Sequence, residues 1–386
     1  GQIDVPCFTV DGRIPSLVFL GTETVENESS VQGQRPRAGS GIDGRWRKSH
    51  TVKPSRFPHL MKNYLRGKKI LVTGGTGFIG SALVKGLLAA GAEIRSLDND
   101  SRGFRTLERP QNDVEHITGD IRDPDVVRKA VRGMECIYHL AYINGTEFFY
   151  DRPELVLEVA VKGMMNVLDA CLAEDVKDLL LVSSSEVYQL PPVIPTSETT
   201  PLTVPDVLNP RFSYGGGKII SELLAVNYGR KFFDRTLIVR PHNVYGPNMG
   251  GEHVIPQFVF RMKECSTQQP DGALTFNIQG TGEETRAFIY IDDFVRALLH
   301  VIEHGEHLDI YHIGTDREVS IRELAHLVAK SCGREISIAP GQRLAGSTPR
   351  RCPDIQKLRR LGFEPAVSLE EGVQRTATWY LQNTID

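Results

Sequence analysis

The sequence predicts an α/β fold, a doubly wound parallel sheet with a smaller C-terminal lobe, and three observations along its 386 residues carry that reading. First, the strand-like run Lys69-Ile70-Leu71-Val72-Thr73 leads straight into Gly74-Gly75-Thr76-Gly77-Phe78-Ile79-Gly80 and then an apolar helical pattern. Second, the next apolar run, Glu93-Ile94-Arg95-Ser96-Leu97, ends at an acid, Asp98, about twenty residues beyond the glycines. Third, strand candidates recur at 115–119, 136–140, 178–183 and 235–240, separated by helical patterning. Continuous apolar strands between helices make a parallel sheet covered on both faces. Such a sheet binds ligands at the carboxyl ends of its strands.

The glycine turn lies at such an end. Glycines at 74, 77 and 80 let the backbone turn tightly, approach a pyrophosphate and pack helix on strand. The helix N-terminus then faces the phosphates. A carboxylate at Asp98 accepts ribose hydroxyls and repels a 2′-phosphate, which favours NAD over NADP, although Arg102 and Arg105 are near enough in sequence to offset that repulsion.

Two polar clusters follow later strands: Ser183-Ser184-Ser185-Glu186-Val187-Tyr188, and Tyr214-Gly215-Gly216-Gly217-Lys218. Tyr214 and Lys218, four apart, share a helix face. A phenol is a poor base at neutral pH, and a neighbouring ammonium is expected to lower its pKa. Such a tyrosine takes a hydroxyl proton while hydride leaves the same carbon. Three consecutive glycines in that helix cost roughly 3 kcal/mol against alanines, which implies that the cofactor or a partner helix packs very close. Residues 189–212, rich in Pro and Thr, read as a loop over the site.

The segment 153–173 is apolar on nearly every face, so it has no solvent side and is expected to meet its twin in a homodimer, the alternative being burial under the 189–212 loop. Beyond it, a helix beginning at His253, a strand over Leu274–Ile278, and helices at 292–304, 320–332 and 354–385 complete the chain. The expected division is an N-terminal extension at 1–66, a dinucleotide-binding domain at 67–245, and a substrate-binding lobe at 246–386 from which 285–304 returns to the first domain. A formal net charge of -3 gives no field for nucleic acid. The six cysteines have neither metal nor redox spacing, which points to the cytosol and to no metal. No apolar run reaches the eighteen or so residues that a bilayer requires.

The chain resembles the extended short-chain dehydrogenase/reductases, the NAD-dependent nucleotide-sugar epimerase/dehydratase family. The resemblance runs from about Lys68 to the C-terminus, through TGGTGFIG at 73–80, LDNDSRG at 97–103, GDIRD at 119–123, HLA at 139–141, SSSEVY at 183–188, YGGGK at 214–218, RPHNVYGP at 240–247, TRAFIYIDD at 285–293 and RRCPDIQKLRRLGFEP at 350–365. It implies a Rossmann domain that holds NAD through Gly74, Gly77, Phe78, Ile79, Gly80, Asp98, Asn99, Ser101, Arg102, Asp120, Ile121, Leu140, Ala141, Ser183, Tyr214, Lys218 and Pro241. It further implies Ser184 on the reacting hydroxyl, Tyr214 as base, Lys218 as its orienting partner, Asn243 and Arg286 on a substrate diphosphate, and Arg351 on the nucleotide side. The implied partners are a nucleotide-diphosphate sugar and a second copy of the chain. Gln189 and Ala160 depart from the family's usual Gly and Asn.

Glu186 and Ser185 bear on which member this is. A 4-keto sugar has an acidic C5 proton that Glu186 is placed to remove, as in a 4,6-dehydratase, while the Ser185-Glu186 pair is similar to that of uronate decarboxylases. A 4-epimerase needs neither. The same Ser-Tyr-Lys set would serve a ketosugar reductase drawing on external NADPH, and the fold alone would also suit a dinucleotide sensor.

The first sixty residues lie outside the resemblance. Residues 22–60 read as a flexible linker, Ser16–Leu20 as a segment able to add an edge strand, Arg45, Arg47, Lys48, Lys53 and Arg56 as a solvated charge run, and Met61 as a possible native start.

Overall fold

The computed structural model describes residues 64–101, 113–342 and 348–383; the expectations for residues 1–63 and for Arg102 and Arg105 lie outside them. Strands β1 (Lys69–Thr73), β2 (Glu93–Asp98), β3 (Val114–Thr118), β4 (Cys136–His139), β5 (Asp178–Val182) and β6 (Arg235–Pro241) form one sheet with a strand at Asp309–Ile313. The order is Asp309–Ile313, β6, β5, β4, β1, β2, β3, and every pairing is parallel. The chain leaves β1 for β2 on one side and returns to β4 on the other, so the order reverses beside the glycine turn. A crevice opens at such a switch point.

Helices cover both faces. Leu71, Ile137, Leu179, Leu181 and Ile238 face α2 (Pro124–Val131) and the segment after β4, whereas Ile70, Val72, Tyr138, Leu180 and Leu237 face α1 (Phe78–Ala89) and the C-terminal elements. The period of two in each strand thus feeds two apolar layers. The predicted helix at 153–173 is three pieces, α4 (Pro153–Glu158), one π turn at Val159–Gly163 and α5 (Met164–Ala173), preceded by the short α3 (Thr146–Asp151). Gly163 is where Ile121 packs, and a Cβ there would collide with its Cδ1. This segment lies against α2 and α6 (Ser213–Phe232), and within the single chain it leaves Leu157 and Leu172 exposed.

Beyond β6, α7 (Val254–Gln268) and α8 (Ile291–His304) begin close to the predicted positions. α8 packs on α1. A small sheet, Glu318–Ser320, Thr285–Ala287 and Arg350–Arg351, sets Arg351 in register with Arg286.

Candidate active site

The dinucleotide turn is built from contacts that leave no room. Gly74 has φ +72°, and a Cβ there would lie 2.7 Å from the Ala141 nitrogen. At Gly80 a Cβ would run into the Gly74 carbonyl. Gly77 differs, since a Cβ would meet only the Gly74 oxygen at 3.4 Å, so its open face is available to a ligand. Gly77 caps α1 without a side-chain hydrogen bond, and the first turn, starting with Phe78 and Ile79, contains no acid. Uncapped N–H groups beside an open glycine fit a pyrophosphate.

Thr73 locks this turn to β4. Its hydroxyl accepts from the Leu140 and Ala141 nitrogens at 3.2 Å each and lies 2.8 Å from His139 Nδ1. With both acceptances filled, the Thr73 proton goes to Nδ1. Asp98 stands at the end of β2, where its carboxylate accepts from the Thr76 and Asp100 nitrogens at 3.0 Å each. Asn99 Oδ1 accepts from the Ser101 nitrogen at 3.2 Å. Asp120 is held by Arg122, and Ile121 is buried with its carbonyl on Asn166. Pro241 pairs with Ile313 at the end of β6.

The reacting end gathers on α6 and the turn after β5. Tyr214 is buried, stacks edge-on to Tyr142 with centroids 5.0 Å apart, and touches Phe149 at 4.9 Å. Ser184 caps the 3-10 turn Ser185–Tyr188 and hydrogen-bonds the Tyr214 phenol. Ser185 is buried beneath it. Lys218 lies one helical turn on but does not acidify Tyr214: its Nζ donates to the Val182 carbonyl at 2.8 Å and sits 3.8 Å from the Tyr142 ring centroid. The expected lowering is therefore corrected. Burial pushes the phenol up to about 12, opposed by Ser184 and Arg351, and burial lowers Lys218 to about 7.

The expected close approach of a partner helix is met at Gly217, where Ala160 of the 153–173 segment packs, and other groups meet the remaining glycines of α6. Gly215 faces the Gln189 side chain and the Glu186 carbonyl; Gly217 faces the Tyr142 hydroxyl and Ala160; Gly216 meets only Val204, at 3.6 Å. Gln189, in the positive-φ position at 52°, donates from Nε2 to the Glu186 carbonyl at 2.7 Å and so fills the space that Gly215 leaves.

Arg351 lies beside the turn after β5. It donates to Glu186 Oε1 at 2.5 Å, and its charge acts on the Tyr214 phenol. Burial alone would raise the Glu186 carboxyl, but Arg351, Arg211 and Arg286 hold it below its ordinary value. Arg286 donates to the carbonyls of Thr285 and Thr348 at 2.8 and 2.7 Å, and burial with Arg351 nearby lowers it to about 10. Like charges directly opposite on paired strands repel; Glu186 relieves both Arg286 and Arg351, and Glu284 also acts on Arg286. Asn243, at φ 42°, donates to the Ala287 carbonyl at 2.8 Å, one residue from Arg286. No cluster of metal-binding side chains occurs among the described residues.

Sequence reasoning missed Tyr142, Glu222 and Arg240 as parts of the site. Glu222 continues the four-residue spacing of Tyr214 and Lys218 and was visible there. Tyr142 had no local signal, since its contacts with Tyr214 and Lys218 cross some seventy residues.

The model of the NAD dependent epimerase/dehydratase family matches residues 70–314. The chain belongs to this family. A putative UDP-glucose 4-epimerase of Methanocaldococcus jannaschii is 30% identical over 81% of this chain and 99% of its own length. UDP-glucuronic acid decarboxylase 1 of Arabidopsis thaliana is 32% identical over 80% of this chain and 68% of its own. Among solved structures, the dTDP-glucose 4,6-dehydratase DesIV of Streptomyces venezuelae, with NAD bound, is 29% identical, covers 82% of this chain and 97% of its own, and has a TM-score of 0.72. The chain is thus an NAD-dependent enzyme of the nucleotide-sugar epimerase, dehydratase and decarboxylase type. Glycines 74, 77 and 80 with Asp98 are the residues that fit the cofactor.

Proposed function

We propose that this enzyme oxidises C4 of a nucleotide-diphosphate sugar with an NAD that it retains and recycles, and that the sugar is a uronate which it decarboxylates. NAD, when bound, would supply the acceptor and later the donor of the C4 hydride. Tyr214 receives the C4 hydroxyl proton, Ser184 hydrogen-bonds that hydroxyl, and Lys218, fastened to the Val182 carbonyl one helical turn on, orients the reacting end. The 4-ketone stands β to the C6 carboxylate, so carbon dioxide leaves, its bonding pair passes to the ketone oxygen, and the enolate takes a proton at C5 from water, while Tyr214 keeps the C4 hydroxyl proton for the return of the hydride. Asn243 and Arg286, joined through Ala287, are the proposed grip on the diphosphate.

One observation carries the choice: Glu186, ion-paired at 2.5 Å to Arg351, has Arg211 and Arg286 acting on it as well. Guanidinium groups gathered round one carboxylate at the reacting end suit the approach of a sugar carboxylate, which planar forks of this kind receive well. An ion-paired glutamate is a weak base for C5, and the residue before it, Ser185, is not the acid that expelling hydroxide needs, which disfavours 4,6-dehydration.

Incubation with UDP-, GDP-, CDP- and dTDP-sugars, uronates included, followed by mass, is the test. Loss of carbon dioxide from a uronate is expected. Loss of water would mean dehydration, unchanged mass with altered NMR couplings a 4-epimerase, and net loss of NADPH absorbance a reductase, and each would overturn the reading.

A homodimer fits the apolar side chains left exposed on the α4–α5 and α6 faces: Leu157, Leu172, Ile220 and Leu223. The cytosol fits the free cysteines at 136, 171, 265, 332 and 352. No helix among the described residues is long and apolar enough to cross a membrane.

A further inference from the structure

Tyr214, Lys218 and Glu222 lie at four-residue spacing along α6, so a single helix face presents a phenol, an amine and a carboxylate. Glu222 is 4% exposed. Its oxygens take the Arg240 guanidinium side-on, Nε to Oε1 at 2.9 Å and Nη2 to Oε2 at 2.6 Å, and Oε1 also accepts from Ser183 Oγ at 2.5 Å. Ser183 follows Val182, whose carbonyl accepts from Lys218 Nζ at 2.8 Å. Two successive residues at the end of β5 are therefore fastened to two successive turns of α6.

Arg240 carries the connection further. Its Nη1 donates to the Tyr188 hydroxyl and to the Glu198 carbonyl at 2.9 Å, and the Tyr188 hydroxyl lies 2.7 Å from His312 Nε2. Tyr188 closes the turn that Ser184 caps and that contains Glu186. A buried ion pair is a weak source of stability compared with apolar residues of the same volume. This one is aligned with the reacting groups at both of its ends.

We propose that Glu222 is a positioning residue: through Ser183 and Arg240 it holds the end of β5 and the Ser184–Tyr188 turn on the Tyr214 face, and it sets a carboxylate one helical turn from Lys218. The inference rests on the assignment of Tyr214 and Lys218 to the reaction. The titratable and charged groups that face Lys218 are Tyr214 and Glu222 on α6, His139 on β4, and Tyr142 beyond β4, with Arg240 of β6 facing Glu222. Burial holds His139 neutral, lowering it to about 3, and burial raises Tyr142, so neither ring supplies charge in the working range. Among the described residues Glu222 is the carboxylate whose charge opposes the burial of Lys218.

The test uses the full chain with its bound NAD. In Glu222→Gln the alkaline limb of kcat/KM is expected to move about one pH unit lower, with kcat falling more than KM changes, and Glu222→Asp is expected to restore most of the limb. If Glu222→Gln does not fold, Glu222→Gln with Arg240→Gln leaves no unpaired charge and is expected to show the same displaced limb. An unmoved limb in the variant that folds overturns the proposal. The titration of Lys218 itself, followed by NMR of its Cε, separates the two levels of inference. If Tyr214→Phe is fully active, the reaction assignment fails, yet a Lys218 titration still lowered by Glu222→Gln would support the charge role.

Discussion

Arg351 is the largest of the charges on Glu186, its guanidinium leading Arg211 and Arg286 in overcoming the burial that would otherwise raise the carboxyl. A carboxyl depressed in the folded chain contributes stability that is fully present above its ordinary 4.5 and is lost as the pH falls through the folded value. Arg351→Met removes the closest counter-charge, leaving burial to push Glu186 up. The variant is expected to be less stable at neutral pH by about 1–3 kcal/mol in urea unfolding. That gap should close as the pH is taken below 4.5, the ordinary carboxyl value; a gap independent of pH would show that Arg351 acts through packing alone. The pair was not legible as a pair, since Glu186 and Arg351 stand 165 residues apart. Each residue was recognisable at its own motif, and only the small sheet that registers Arg351 with Arg286 brings them together.

On α6 the three glycines are unequal. Gly216→Ala meets only Val204, at ordinary contact distance, so it is expected to stabilise by roughly 0.5–1 kcal/mol through helix propensity. Gly215→Ala is expected to destabilise, because its Cβ would lie 2.7 Å from the Glu186 carbonyl and overlap the Gln189 amide. Moving that carbonyl displaces the turn carrying Ser184 and Glu186, so activity should fall with stability. Urea unfolding and turnover of the two variants check this; equal effects would remove the distinction. The sequence could reveal that such a helix needs close approach, but not what approaches. Local signals fared better for the strands, whose ends lie within a residue or two of the apolar runs. They failed at 153–173, where continuous apolarity concealed a π turn set by the long-range contact of Gly163 with Ile121.

At the scale of the molecule, the glycine turn, the acid after β2 and the alternation of strands and helices all pointed to one parallel sheet, and that agreement is why its class was readable, whereas its order and the edge strand Asp309–Ile313 were not. Such consistency between local and global signals is what specifies a fold. Association is a separate question, set by what the sheet's helices leave uncovered. α4, the π turn and α5 pack on α6, so their outer sides lie together. Leu223 is 57% exposed there, with Ile220 on the same helix at 39% and Leu157 on α4 at 38%. Apolar side chains grouped on one face in this way are what the proposed two-fold dimer would bury. In light scattering the wild-type chain is expected to have the mass of two copies, and Leu223→Asp with Leu157→Asp the mass of one with the fold retained by circular dichroism. A wild-type mass of one copy at micromolar concentration would refute the dimer, and a double variant still of two-copy mass would assign the interface to another face.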